Sequence, residues 1–290
     1  MYRDFETFDL RPNEFPEKLR EINDPPKILH VKGTLPHPDT KILCVVGSRK
    51  HTAYGKEACE KLIAGLAGYD ICIVSGLALG IDAVAHRAAL AANLKTIAVP
   101  GSGLDEKVLY PVTNKRLAEE ILLAGGAIMS EFDADTIAAP WTFPQRNRIM
   151  AGLADATLVI EAELKSGTLI TSKFATEYNR DVLAVPGSIF SKNSDGPHML
   201  IRLGATPVRT SEDILEALGF KVEQKIENLK LKYADCSDEE MLVVKLLAEP
   251  LQKDELVRQM KMPISKASVI LSMMELKGLV EERMGEIYLS

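Results

Sequence analysis

Positive charge is not in excess in this sequence. Its 35 lysines and arginines stand against 41 acidic residues, for a formal net charge of −6. That excludes a protein that coats nucleic acid by bulk electrostatics, so any polynucleotide contact has to come from a local patch. Long apolar runs are also missing. No run reaches the length of a bilayer span, and no membrane partner is expected. The N-terminus, MYRDFETFDLRPNEF, is acidic and polar where a signal peptide would be basic and then apolar. Cysteines are few: Cys44, Cys59, Cys72 and Cys236, with no C-x-x-C spacing. This excludes a disulfide framework and a thiolate metal site, and implies buried thiols in a reducing, cytoplasmic setting. The G-x-G-x-x-G fingerprint of dinucleotide binding does not follow the first clear strand, so NAD is discounted and no cofactor is expected.

What is present is a regular alternation of short apolar runs with helical segments. Lys41 to Val46 (KILCVV) reads as a buried strand, followed by a helix from about Tyr54 to Leu66. Ile71 to Val74, Thr96 to Val99, Ala127 to Ser130, Thr157 to Ile160 and Val182 to Val185 repeat the pattern, with helices between them. Such alternation predicts an α/β fold: an extended Rossmann-like, doubly wound, mostly parallel sheet covered on both faces. Residues 41–220 form this domain, and residues 1–40 are an N-terminal extension packed on it. Asp24-Pro25-Pro26 stops a short amphipathic helix there, and a short strand follows.

Several strands run into small polar loops: Gly47-Ser48-Arg49, Ser75-Gly76, Pro100-Gly101-Ser102 and Pro186-Gly187-Ser188. In an open parallel sheet these carboxyl ends line the binding crevice. The stretch Phe143 to Thr171, FPQRNRIMAGLADATLVIEAELKSGTLIT, concentrates the relevant chemistry. Arg146, Asn147 and Arg148 put two guanidiniums and an amide at the start of a helix. Lys165, Ser166, Gly167 and Thr168 form a loop after the next strand and lead into another helix. Backbone amides and the helix dipole favour an anion at such a loop, and glycine allows close approach. Ser75 and Gly76 offer further amides. Cations beside an aromatic residue suit a single strand, whose phosphates meet charge and whose bases meet flat faces. Asp82 and His86 are four residues apart on one helix and read as a local pair, because no nucleophile or third partner completes a triad.

From Ser237 the pattern changes. A charged linker, 221–236, precedes three helices near Glu239 to Leu247, Lys253 to Met260 and Ser265 to Lys277. A hairpin follows around Met284-Gly285. Residues 237–290 are therefore expected to form a small winged-helix domain. From Asp235 onward, seven lysines and arginines face eleven acidic residues, and the candidate recognition helix carries only Lys266 and Lys277 as cations. That is poor electrostatics for a duplex reader.

Six ordered segments carry a family resemblance: KILCVVGSR, SGLALGIDAVAH, TIAVPGSGLD with YP after it, FPQRNRIMAGL, EAELKSGTLIT, and DVLAVPGSI with LIRLGA after it. Together they resemble the DprA/Smf family of DNA-processing proteins over about Phe15 to Leu218, and the tail fits as well. The resemblance implies a cytoplasmic, dimeric, non-enzymatic protein. Such a protein binds single-stranded DNA without sequence preference, protects incoming DNA during natural transformation and loads the recombinase RecA. It implies that Arg49 engages a base and a phosphate, with Gly47 and Ser48 shaping its loop. It further implies that Lys165, Ser166, Gly167 and Thr168 form the phosphate loop, and that Arg146, Asn147 and Arg148 line the same cleft.

The alternative is an enzyme, because the fold and the Gly-Thr loop also resemble the lonely-guy phosphoribohydrolases. Their motif is P-G-G-x-G-T-x-x-E, and Thr171 stands here where its glutamate would be. A third possibility, a winged-helix regulator with a ligand-sensing core, is opposed by the acidic tail.

Overall fold

The computed structural model describes residues 2, 5–220, 236–247, 251–283 and 285–289. The chain divides into two compact units, 1–222 and 223–290.

The first unit opens with β1 (Thr7–Leu10), a one-turn helix α1 (Glu17–Arg20) and β2 (Leu29–Gly33). Seven mutually parallel strands follow: β3 (Lys41–Val46), β4 (Ile71–Ser75), β5 (Lys95–Ala98), β6 (Ala127–Ser130), β7 (Ala156–Val159), β8 (Asp181–Ala184) and β9 (Thr206–Pro207). The intervening helices are α2 (Ala53–Ala64), α3 (Ile81–Ala91), α4 (Lys115–Leu123), α5 (Thr142–Leu153), α6 (Thr168–Glu177) and α7 (Asp195–Arg202), and α8 (Ser211–Ala217) closes the unit. The strand order is β1-β2-β6-β5-β4-β3-β7-β8-β9. From β3 the chain winds outward to β6 on one side, then returns to β7 and winds outward to β9 on the other. The order reverses between β3 and β7, which makes the crevice above their carboxyl ends the place where such a sheet takes a ligand.

Both faces of the sheet are covered, which is why the strands read as unbroken apolar runs. Alternate side chains of a strand point to opposite faces. Leu43 and Val45 of β3 join one core with Ile71, Ile73 and Leu158, under α2, α3 and α8. Ile42, Cys44 and Val46 join the other with Val74, Val159, Leu19, Ile149 and Leu153, under α1 and α5. The thiols of Cys44, Cys59 and Cys72 are free and buried in these layers. Burial pushes those of Cys44 and Cys72 up to about 12, so they stay protonated and inert.

The N-terminal segment does more than pack on the core. β2 pairs antiparallel with β6, and β1 pairs antiparallel with β2, so residues 7–33 widen the sheet by two strands. The first of these strands, TFDL, is mostly exposed and shows no apolar run, so periodicity did not reveal it.

In the second unit, helices Asp238–Leu246, Lys253–Gln259 and Ile264–Leu276 pack on a three-stranded sheet. Its strands are β10 (Leu251–Gln252), β11 (Val280–Arg283) and β12 (Glu286–Leu289), in the order β10-β12-β11. β11 and β12 form the expected hairpin. Ser237 caps the first helix in a reciprocal box with Glu240. The expected linker lies outside the described residues except for Cys236, and so does Met284 of the expected turn.

One polar contact staples the first unit across its layers. Asp155, just before β7, accepts a hydrogen bond from the Ile42 amide (2.8 Å) and pairs with Lys41 (3.3 Å) and Lys18. Burial works to raise its carboxyl, but the Ile42 amide and the two lysines overcome this and hold it below the usual carboxylate range. A depressed folded-state value means stability that is present above the ordinary value and lost as pH falls through the lowered one. Asp155→Asn should therefore cost about 2 kcal/mol at pH 7 in urea unfolding. That deficit should close as pH drops below the usual carboxylate range.

Candidate nucleic-acid interface

The loop after β3 and the loop after β7 meet at the reversal point of the sheet. Thr168 Oγ1 donates to the Gly47 carbonyl (3.1 Å) and joins them directly. Two glycines let the first loop sit where it does. A Cβ on Gly47 would lie 2.7 Å from the Ile81 side chain. Gly80, with φ +81, stands where a Cβ would collide with the Ser48 carbonyl and the Arg49 backbone. The start of α3 can therefore press against the loop, and the Ile81 amide donates to the Ser48 carbonyl (3.2 Å). Ser48 Oγ accepts from the Lys50 amide (3.1 Å) and tightens the turn. The result is an exposed Arg49 whose guanidinium lies 4.9 Å from the centre of the Phe143 ring.

Across the opening, Lys165 and Gly167 are exposed and Ser166 is half-buried. Thr168 begins α6. Its amide is already engaged, since it donates to Ser166 Oγ (3.2 Å), and the Leu169 amide donates to the Ser166 carbonyl. Part of the amide cradle expected from the sequence is thus spent inside the loop itself. The charge of Lys165 is not: among the described residues it has no ion-pair partner. The two loops, with Phe143, Arg146, Asn147, Asp82, Glu163 and Thr171, enclose a pocket of about 340 Å³.

Arg146 forms the floor of the pocket and is buried. Its Nη1 donates to the carbonyls of Gly76 and Val99, and its Nε donates to Asn147 Oδ1 (3.1 Å). It therefore clamps the ends of β4 and β5. Burial lowers its value to about 10, against the pull of Asp82, so it remains a cation at neutral pH. Asp82 is buried beside it and accepts the Gly76 amide (3.1 Å). Burial raises its carboxyl and Arg146 opposes the rise. Asn147 donates from Nδ2 to the Gly167 carbonyl (3.3 Å), which ties α5 to the second loop. His86 takes no part: it is buried against Thr96 Oγ1 (2.7 Å), and burial pushes its imidazole down to about 3.

Beyond Arg146, Asn147, Ser166 and Thr168, whose bonds are given above, three more expected site residues lie elsewhere or are already engaged. Arg148 does not line the pocket. It is turned to the far side of α5, where it pairs with Glu131 and donates to the Asp24 carbonyl (2.7 Å). Ser75 is buried and its Oγ donates to the Val45 carbonyl (2.7 Å). Gly76 offers no free amide, because Asp82 holds it, and its role is to leave room for Arg146. Conversely, Lys50, Glu163 and Met150 line the pocket and were not singled out from the sequence. Tyr110, noted in the sequence only as part of the YP turn, was not singled out for the site either. Its ring lies 5.9 Å from that of Phe143, beside a smaller depression that continues the pocket past Leu79 and Gly101. The Tyr110-Pro111 turn was the signal available for it.

The two pocket glycines should respond differently to a methyl group. A Cβ at Gly76 would overlap the Arg146 guanidinium, whereas at Gly167 it meets nothing within 4 Å. Gly76→Ala should lose about 1–3 kcal/mol of stability by overpacking. Gly167→Ala should stay within about 0.5 kcal/mol of the parent. Chemical denaturation of both variants decides this.

Comparison with known proteins gives the same direction as the geometry. The family model "DNA recombination-mediator protein A" matches residues 7–219, and that of the DprA winged helix domain matches residues 233–286. The chain is 45% identical over 206 residues to Protein Smf of Escherichia coli, covering 71% of this chain and 54% of that one. It thus spans about half the length of that relative. It is 43% identical over 219 residues to DNA processing protein DprA of Streptococcus pneumoniae, covering 76% of each. The solved structure of DprA from Streptococcus pneumoniae superposes with a TM-score of 0.66 at 41% identity, over 74% of this chain and 75% of that one. DNA processing protein A from Helicobacter pylori, solved to describe its single-stranded DNA binding mode, superposes with a TM-score of 0.65 at 29% identity, over 75% and 98%. A Rossmann-like core and a winged-helix tail, each matched by its own family model, make this chain a member of the DprA/Smf family of DNA-processing proteins.

Proposed function

We propose that this protein binds single-stranded DNA, without sequence preference, in the pocket between the β3 and β7 loops. There it protects incoming DNA during natural transformation and helps load RecA. The observation that carries the reading is the pairing of two exposed cations across one pocket with an aromatic wall. Arg49 offers a planar fork that can grip a phosphate or stack on a base, and Phe143 already supports its flat face. Lys165 adds a point charge beside the start of α6. A duplex would not bring unpaired bases to such a recess, whereas a single strand can.

The tail favours the same conclusion. Lys266 pairs with Glu239, and Lys277 pairs with Glu240 (2.7 Å), so the cation within helix Ile264–Leu276 and the one that caps its end are partly neutralised within the unit. The same helix exposes Val269, Met273 and Leu276. That face suits a protein contact better than a major groove. RecA is the partner that family membership suggests. A homodimer is proposed on the same basis; the short, exposed edge strand β9, with exposed Leu203 before it, is a surface a second copy could use. Free buried cysteines fit a cytoplasmic location.

Oligo(dT) should bind more tightly than duplex of equal length, and log K should fall with log salt at a slope of about −0.7 per neutralised phosphate. Arg49→Ala should lose about 1–3 kcal/mol of binding, the range of one base stack. Lys165→Ala should flatten the salt slope by about 0.7. A folded double variant that binds oligo(dT) like the parent would remove the pocket from consideration.

We further propose that the pocket performs no hydrolysis. Thr171 lines it at the position of the hydrolase glutamate, and Asp82 is committed to the Gly76 amide and Arg146. Incubation with nucleoside monophosphates should release no free base above a buffer blank. Turnover that is lost on altering the pocket would install the enzyme reading instead.

A further inference from the structure

We propose that the loop between β8 and α7 is a second base-stacking station, with Phe190 as its platform, on the path of a single strand leaving the pocket. This rests on the single-strand reading above and extends it beyond the pocket. Phe190 is 92% exposed and Ile189 is 79% exposed, an unusual concentration of apolar surface in a loop. The loop is anchored at both ends to the segment that follows Arg49. At one end Tyr54 Oη donates to the Pro186 carbonyl (2.5 Å). At the other Asn193 Nδ2 donates to the Lys50 carbonyl (3.0 Å), while the Asn193 carbonyl accepts from the Ala162 amide (2.7 Å). The Phe190 amide donates to Ser188 Oγ (3.2 Å), which shapes the turn that presents the ring.

The topology puts this loop on the right edge. β8 is parallel to β7 and adjacent to it, so its carboxyl end lies beside the Lys165 loop on the same rim. Two further exposed lysines flank the platform: Lys50, which lines the pocket, and Lys192, in the loop itself. Neither has an ion-pair partner among the described residues. The nearby carboxylates are Glu161, buried and held by Thr52 and Asn193, exposed Glu163 in the pocket lining beside Lys165, and exposed Asp195 at the start of α7. The rim thus carries both cations and flat rings, with Tyr110, Phe143, Arg49 and Lys50 at the pocket and Phe190 and Lys192 in the β8–α7 loop. A phosphate backbone needs the first and unpaired bases need the second, which identifies the occupant as single-stranded nucleic acid. An apolar partner protein would not explain lysines on both sides.

The experiment measures fluorescence anisotropy of two labelled oligo(dT) probes, one just long enough to fill the pocket and one of about 20 nucleotides, with the full chain. Phe190→Ala should weaken the long probe about tenfold, within the range for one lost base stack, and leave the short probe unchanged. Phe190→Trp should restore the long probe, because any flat ring serves. Equal affinity of Phe190→Ala and the parent for the long probe overturns the proposal. So does a change of sedimentation mass in Phe190→Ala without loss of affinity, which would make the ring a protein contact. Failure of the parent to bind either probe overturns the pocket reading and this one with it. Loss confined to the long probe upholds both.

Discussion

A buried guanidinium holds this site together. Arg146 reaches from α5 beneath the pocket and bonds the carbonyls at the ends of β4 and β5, with Asp82 beside it as counter-charge. A cation taken out of water is costly unless it is paired and hydrogen-bonded, and here both conditions are met. The arrangement makes three elements mutually dependent. α5 must lie close enough for the side chain to reach, Gly76 must lack a Cβ, and the start of α3 must deliver Asp82. With those in place, Phe143, one turn earlier on α5, stands beneath Arg49. The exposed Arg49 therefore rests on a ring carried by the helix that the hidden Arg146 fixes to the sheet.

The loops obey the same economy. Gly47 and Gly80 remove two side chains so that backbone can press on backbone, and Thr168 bonds the first loop to the second. Polar groups that look available in the sequence are often consumed in building the site. Ser166 caps its own loop, the Gly76 amide belongs to Asp82, and Ser75 is tied to β3. What remains for a ligand is a small set: Arg49, Lys50 and Lys165 at the rim, and the aromatic faces of Phe143 and Tyr110. This is consistent with a net acidic chain that gathers its positive potential in one place.

Much of the architecture was visible in the chain because a doubly covered parallel sheet writes itself as apolar runs ending in small polar loops. KILCVV, ICIV and the later runs became β3, β4 and their neighbours to within a residue or so. The two antiparallel strands at the edge differ. β1 carries Thr7, Phe8 and Asp9 on an exposed ribbon, and only its pairing with β2 makes it a strand. An edge strand buries too little to need an apolar sequence.

The sequence by itself determined which loops end the strands, which glycines they contain, and that Arg49 and Lys165 follow strands of one sheet. Those are local matters of composition and order. It could not decide among Arg146, Asn147 and Arg148. Consecutive residues on a helix fan out by about 100°, so three neighbours must face three environments. One became the pocket floor, one a tie to the Gly167 carbonyl, and one a partner of Glu131 on the far side. Which went where depended on Gly76, Gly167 and Glu131, residues remote in the chain that only the folded sheet brings to α5.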